Sequence, residues 1–388
     1  MPSPERLSEA VRTRLPRYLD ELETLVNIDC GSYTPTGVNR VADTVAASLE
    51  ELGAVVERVP HEPAPGEAQL GDLVIGRLPG EGPTVLLIGH MDTVFGEGTA
   101  AERPYRVREG RVLGPGTSDM KGGLLAGLHA IAALQATGAR PNVTFVANPD
   151  EEIGSIFSGE HIRRLAPEHD VALVLECARA NGDIVSARKG IADLELTFRG
   201  RAAHAGVEPE KGRSAILAAA SAVTTLHGLN GRWPGVTLNA GVIAGGTRPN
   251  VVAERCSLQV DLRALTQHTF GEARAEVERV AASPSVEGVS CELRTTASHP
   301  PMEKGPATAR LADLAIAIAG ELGFELHDTT TGGASDGNTT AAAGTPTLDG
   351  LGPIGGDDHS ADEWLDLDSV VPRTTLLAAL INRAGEAL

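Results

Sequence analysis

Apolar positions recur every three to four residues in LSEAVRTRLPRYLDELETLVNI (7–28) and VNRVADTVAASLEELG (38–53), which predicts two amphipathic helices. Pro16 predicts a break or kink in the first, and Gly53 predicts the end of the second. Short apolar runs then alternate with helical patterns. DLVIGRL, TVLLIGH, PNVTFVANPDEE and DVALVLECA read as buried strands. DMKGGLLAGLHAIAALQATG reads as a helix, apolar at Leu124, Leu125, Leu128, Ile131 and Leu134 and capped by Ser118. This alternation predicts an α/β fold, a central mostly parallel mixed sheet flanked by helices.

From about Ile191 the pattern changes. IADLELTFRG alternates apolar and polar residues, EKGRSAILAAASAVTTLH is helical, and VTLNAGVIAGG and CSLQVDLRAL are strands. FGEARAEVERVAA is helical and GVSCELRTT is a strand. The order β-α-β-β-α-β predicts a ferredoxin-like α+β domain inserted into the larger one. The expected boundaries are 1–189 for the first part of the main domain, 190–299 for the insert and 300–388 for the second part.

Composition narrows the function. With 388 residues, 41% hydrophobic, the chain is too long for one typical domain. Fifty-two acidic against 33 basic residues give a formal charge of −19, which argues against a nucleic-acid partner. Cys30, Cys177, Cys256 and Cys291 are widely spaced and predict reduced thiols. No signal core or membrane span is present in the pattern, so a soluble cytoplasmic protein is expected.

NPDEEIGS (148–155) places Asp150, Glu151 and Glu152 side by side. Ordinary helix-start chemistry, with Asn148 as cap and acids in the first turn, is one explanation. A metal site is the other. Three predicted strands end in ligand-type residues: His90 with Asp92 nearby, the acidic triplet, and Glu176. In α/β sheets, ligands bind outside the carboxyl ends of strands. Asp119 in GPGTSDMKGG and His359 in GGDDHSADEW are further candidates. Taken singly, each has a bland reading as a structural histidine, a dipole partner or an exposed loop acid. Together they form an oxygen and imidazole set suited to zinc, with cobalt or manganese as substitutes.

In order, GHMDTV, GPGTSDMKGG, NPDEEIGS, LECA, GRAAHAG and the DDHSADE loop resemble the co-catalytic di-zinc metallopeptidases of family twenty. That family includes aminoacylases, succinyl-diaminopimelate desuccinylases and carboxypeptidase G. GRAAHAGVEPEKGRSAI and GGASDGN resemble its glutamate carboxypeptidase branch. The resemblance implies two Zn2+ per subunit, bridged by Asp119. His90 and Glu176 would complete one ion's ligands, and Glu152 and His359 the other's. Asp92 would orient His90, and Glu151 would be the general base. A cis peptide bond is implied at Asp119–Met120. The reaction implied is removal of a C-terminal amino acid, or deacylation of an N-acyl amino acid, by Glu-assisted attack of zinc-bound hydroxide.

The resemblance also makes the insert a lid and dimerisation domain. His204 would reach the opposite subunit's site of a homodimer, and Asn250 and Arg263 would hold the substrate's free carboxylate. Two departures stand out: Cys177 follows Glu176 where relatives often have proline, and Phe95 takes the place of a frequent tyrosine. Two rival readings are an inactive binding or scaffold protein of the same fold, and a serine hydrolase using Ser335 of G-A-S-D-G, with Asp357 or Asp358 and His359 completing a triad.

Overall fold

The computed structural model describes residues 2–388. Its chain forms two units: one of residues 2–187, 304–331 and 335–388, the other of 188–303 with 332–334. The first stretch runs α1 (Pro4–Val26), α2 (Pro35–Glu51), β1 (Val55–Val59), β2 (Leu73–Leu78), β3 (Glu81–His90), α3 (Thr99–Glu102), β4 (Arg106–Arg108) and β5 (Arg111–Leu113). It continues with α4 (Gly122–Ala136), β6 (Pro141–Asn148), α5 (Ser158–Leu165), β7 (Val171–Val174) and β8 (Ile184–Arg188). The second unit holds β9 (Gly190–Arg199), α6 (Ala215–His227), β10 (Thr237–Gly245), β11 (Arg255–Ala264), α7 (Gln267–Ala282) and β12 (Ser290–His299). The chain then returns through α8 (Pro306–Glu321), β13 (Asp328–Thr331), α9 (Asp336–Ala342), β14 (Thr347–Leu348), β15 (Gly355–Gly356), β16 (Trp364–Asp366) and α10 (Leu367–Arg383).

The first unit is built on a mixed six-stranded sheet of order β1-β2-β6-β3-β7-β14. β6, β3, β7 and β14 run parallel, and β2 and β1 are added antiparallel at one edge. The parallel strands are apolar without alternation because helices bury both faces: Val85 to Ile88, Val146 and Val171 to Val174 are all inaccessible to solvent or nearly so. α4 is buried from Gly122 to Leu134, on every side. A Cβ at Gly123 would stand 1.8 Å from the Leu175 carbonyl oxygen. Only glycine lets α4 pack that close to the chain leaving β7.

Two local expectations change. α1 continues through Pro16, because its buried stripe of Leu7, Val11, Tyr18, Leu22 and Leu25 outweighs the one hydrogen bond that proline removes. Ser118 does not cap α4; it lies in a wide turn, Thr117–Lys121, and its hydroxyl bonds the Asp358 carboxylate.

The second unit is an antiparallel sheet of order β10-β11-β9-β12. Ala192, Leu194, Leu196 and Phe198 of β9 and Cys256, Leu258, Val260 and Leu262 of β11 point into one core with α6 and α7. The alternate positions carry Asp193, Glu195, Gln259 and Asp261, as a one-faced sheet requires. Cys30, Cys177, Cys256 and Cys291 are all free thiols. Among the described residues no helix is long and apolar enough to cross a membrane.

Candidate metal centre

Strand order brings the site together. β3 lies between β6 and β7 and runs parallel to both, so the three strands finish at the same edge. His90 is the last residue of β3 and stands opposite Asn148, the last of β6. Glu176 follows β7 by two residues. Neighbouring strands are about 4.8 Å apart, which sets the scale of the cluster. Asp119 comes from the turn before α4, and His359 from the loop between β15 and β16, where its φ is 63°.

The central group is the Asp119 carboxylate. Its Oδ1 lies 3.0 Å from His90 Nε2, and its Oδ2 lies 3.1 Å from His359 Nε2. Each histidine also faces a glutamate. Glu176 Oε1 is 3.8 Å from His90 Nε2, and Glu152 Oε2 is 3.2 Å from His359 Nε2. Ligand atoms of His90, Glu151 and Glu176, and likewise of His90, Asp119 and Glu152, all lie within 4.8 Å of one another. The Asp119–Met120 peptide bond is cis.

Electrostatics show what this cluster lacks. Burial pushes Glu151 well above the usual carboxylate range, and the Glu176 carboxylate pushes it further. Burial also raises Glu152. Burial would raise Asp119 too, but hydrogen bonds from His359 and His90 outweigh it and hold it far down. His359 is lifted to about 11, by its hydrogen bond to Asp119 first and to Glu152 second. Glu152 Oε1 is buried with no hydrogen-bond partner. A buried carboxylate oxygen without a donor, among acids that repel, fits a site for cations. Imidazole and carboxylate donors on both sides of one bridging carboxylate suit a pair of divalent ions.

Asp92 is fully buried and does more than orient His90. Its backbone carbonyl is 3.0 Å from His90 Nδ1, nearer than its carboxylate at 3.4 Å. The carboxylate accepts from Glu151 N at 3.1 Å, Glu152 N at 3.2 Å and Ser32 Oγ at 2.6 Å. Asn148 is no helix cap. It accepts from Asp150 N at 2.8 Å and donates to Asp336 Oδ2 at 2.6 Å. Asp150 accepts from Phe157 N at 2.6 Å, which fixes it as a structural residue.

Three supporting residues escaped the sequence reading. Ser32 holds Asp92. Asp336, pushed up to about 6 by burial, holds Asn148 and Ser155. Glu363, pushed up to about 7 by burial, accepts from the loop that carries Asp119. Asp336 lies in GGASDGN and Glu363 four residues after His359, but neither position belongs to an apolar pattern that would have marked it. Ser335 and Asp336, at the centre of GGASDGN, are buried. Ser335 sits between strand β13 and helix α9, as a nucleophile elbow would. Its hydroxyl, however, donates to Asp349 Oδ2 at 2.5 Å and caps Gly337 N, leaving no histidine partner.

His204, Asn250 and Arg263 lie in the second unit. His204 pairs with Val251, and Ala205 N donates to the Asn250 carbonyl at 3.0 Å, so His204 and Asn250 sit on adjoining segments. Arg263, on β11, donates to Asp261 at 3.0 Å and to the Gly332 carbonyl at 2.9 Å. Phe95 stacks under Arg103, whose guanidinium is 4.4 Å from the ring centroid.

The sequence model of peptidase family M20/M25/M40 matches residues 86–383. Carboxypeptidase G2 of Pseudomonas sp. (strain RS-16) is 30% identical over 385 residues, covering 98% of this chain and 92% of that protein. A succinyl-diaminopimelate desuccinylase of Stenotrophomonas maltophilia is 29% identical over 323 residues, covering 78% and 84%. The structure of aminopeptidase PepT from Bacillus cereus superimposes with a TM-score of 0.76 at 25% identity, covering 95% of this chain and 98% of that one.

Proposed function

The chain belongs to peptidase family M20/M25/M40, and from that premise we propose that it is a di-zinc amide hydrolase. It is a hydrolase of metallopeptidase or aminoacylase type. The substrate is a small peptide losing a C-terminal amino acid, glutamate in the likeness of carboxypeptidase G2, or an N-acyl amino acid. The observation that carries this reading is the Asp119 carboxylate with one histidine on each oxygen, each histidine facing its own glutamate.

His90, Asp119 and Glu176 would hold one ion, and Asp119, Glu152 and His359 the other. When bound, such a pair lowers the pKa of water toward neutrality and polarises a carbonyl. Glu151 takes the proton of the attacking water and delivers it to the departing amine. Its neighbour Glu152 is a ligand, so base and ion are held by one turn. Asp92 fixes that turn by its backbone N–H groups and fixes the His90 ring by the other nitrogen.

His204 is assigned to the developing oxyanion, and Asn250 with Arg263 to the substrate's free carboxylate, for which a guanidinium fork is suited. A homodimer through the second unit belongs to this reading. Its support is local: β10 is an edge strand with Val242 and Ile243 half-exposed, and Ile216 and Leu217 are exposed on α6.

The test is metal content with turnover. Two zinc ions per chain, and hydrolysis of a panel of dipeptides and N-acyl amino acids that a chelator abolishes and zinc restores, are expected. Two ions with no hydrolysis across the panel would instead mark a binding protein of this fold.

A further inference from the structure

Glu363 is a buried carboxylate, 1% exposed, in the same loop as His359. Its Oε2 accepts from Gly116 N at 2.8 Å. Its Oε1 accepts from Ser118 N at 2.9 Å and Asp119 N at 3.1 Å, with Ser118 Oγ at 3.5 Å. Three backbone N–H groups within four residues thus converge on one side chain, and the last belongs to the bridging aspartate itself. Among the described residues no Lys or Arg pairs with Glu363. It is satisfied by that one turn.

We propose that Glu363 is a positioning residue for the metal pair, tying the loop that presents His359 to the turn that presents Asp119. The inference rests on the metal-centre reading above. One further bond joins the same segments, the Ser118 hydroxyl to the Asp358 carboxylate, while Trp364 Nε1 donates to Asp357 Oδ2 at 3.0 Å and folds the His359 loop back on itself. Lys121 closes the turn from its other side, its Nζ donating to the Pro115 carbonyl at 3.0 Å and the Ile28 carbonyl at 3.2 Å. Asp119 therefore has its backbone held by the Glu363 carboxyl group and the flank of its turn by the Lys121 amino group, neither bonded to its carboxylate. That division leaves both carboxylate oxygens for ions. A glutamine at 363 keeps the shape but turns an NH2 group toward a backbone N–H, so at least one bond is lost. An aspartate keeps the charge and falls one methylene short.

The experiment compares wild type with Glu363→Gln, Glu363→Asp and, as a control for lost stability, Glu21→Gln. Glu21 bonds His129 and Arg17 and is no ligand. Zn2+ and Co2+ affinities are measured by competition with a chromophoric chelator, and the Co2+ visible spectrum is recorded. Hydrogen exchange of the peptide spanning 114–121 is followed in metal-free protein. Glu363→Gln is expected to lose about 10–100-fold in affinity, as residues supporting metal ligands do. Its Co2+ spectrum should change, exchange in 114–121 should rise, and kcat should fall with KM little changed. Glu363→Asp should recover part of the affinity, and Glu21→Gln should lose none. Wild-type affinity, spectrum and exchange in Glu363→Gln would overturn the proposal. Should that variant not fold, wild-type affinity in folded Glu363→Asp overturns it equally. A wild type that takes up neither ion overturns the metal reading, and this inference with it.

Discussion

Asp92 Oδ1 lies 3.1 Å from the backbone N–H of Glu151. A side chain two residues from one metal-ligand candidate thus holds the main chain of the proposed base. Oδ2 serves Glu152 N in the same way. The acidic turn after β6 is capped by a residue from β3's end rather than by Asn148, which faces inward.

Asp92→Ala removes that acceptor. Two backbone N–H groups and the Ser32 hydroxyl lose their partner, which costs about 1–3 kcal/mol. Metal affinity should fall about 10–100-fold, because His90 and Glu152 both lose their support. Asp92→Asn should lie between. Chelator competition and urea unfolding measure the two effects separately.

Glu151→Gln should abolish turnover, by about 10²–10⁴-fold, with metal content near that of wild type. Activity within a few fold of wild type removes Glu151 from the base role. Loss of an ion would instead make it a ligand.

The histidines set the pH dependence. In the metal-free protein, His359 titrates near 11 rather than its ordinary 6.5. Its contribution to stability is fully present below about pH 6.5 and is lost as pH rises toward 11. The depressed Asp119 acts in the opposite sense, its contribution present above its ordinary 3.8 and lost on acidification. Metal-free protein should therefore lose Tm from pH 6.5 to 9. An ion must displace the proton on His359, so metal affinity should rise over the same range. Affinity that falls or stays flat between pH 6 and 8 would contradict the assignment of His359.

Asp336→Ala removes the acceptor of the Ser155 hydroxyl and one of the two acceptors of Asn148 Nδ2 in a buried site, leaving Nδ2 its bond to Ser155 Oγ. Loss of about 2–4 kcal/mol in chemical denaturation is expected, with Asp336→Asn milder. Activity should drop as well, since Asn148 and Ser155 flank the turn of Glu151 and Glu152.

That His90, Glu152 and Glu176 meet at one sheet edge was legible because each ends or follows an apolar run, and parallel neighbours in a sheet end together. The β-α-β-β-α-β order was legible from the change in periodicity after Ile191. Side-chain partners across loops were not. Nothing in the spacing of DDHSADEW says that Glu363 faces the Asp119 turn, 244 positions away with no repeating pattern between. Pro16 does not break α1, for a physical reason: intrinsic cost is local, whereas burial of α1's stripe is tertiary. Ser118 misled because a turn intervenes before α4.

The first unit is discontinuous, in three segments, with residues 188–303 between the first and the second. His359 and strand β14, which pairs with β7, are therefore made last. During synthesis the nascent chain carries His90, Asp119, Glu152 and Glu176 with an open sheet edge and without the fifth member of the proposed ligand set. Translation must nearly finish before the His359 side chain can meet Asp119 and Glu152, so a ribosome stalled after the insert would release an aggregation-prone, acid-lined fragment with only part of the proposed ligand set.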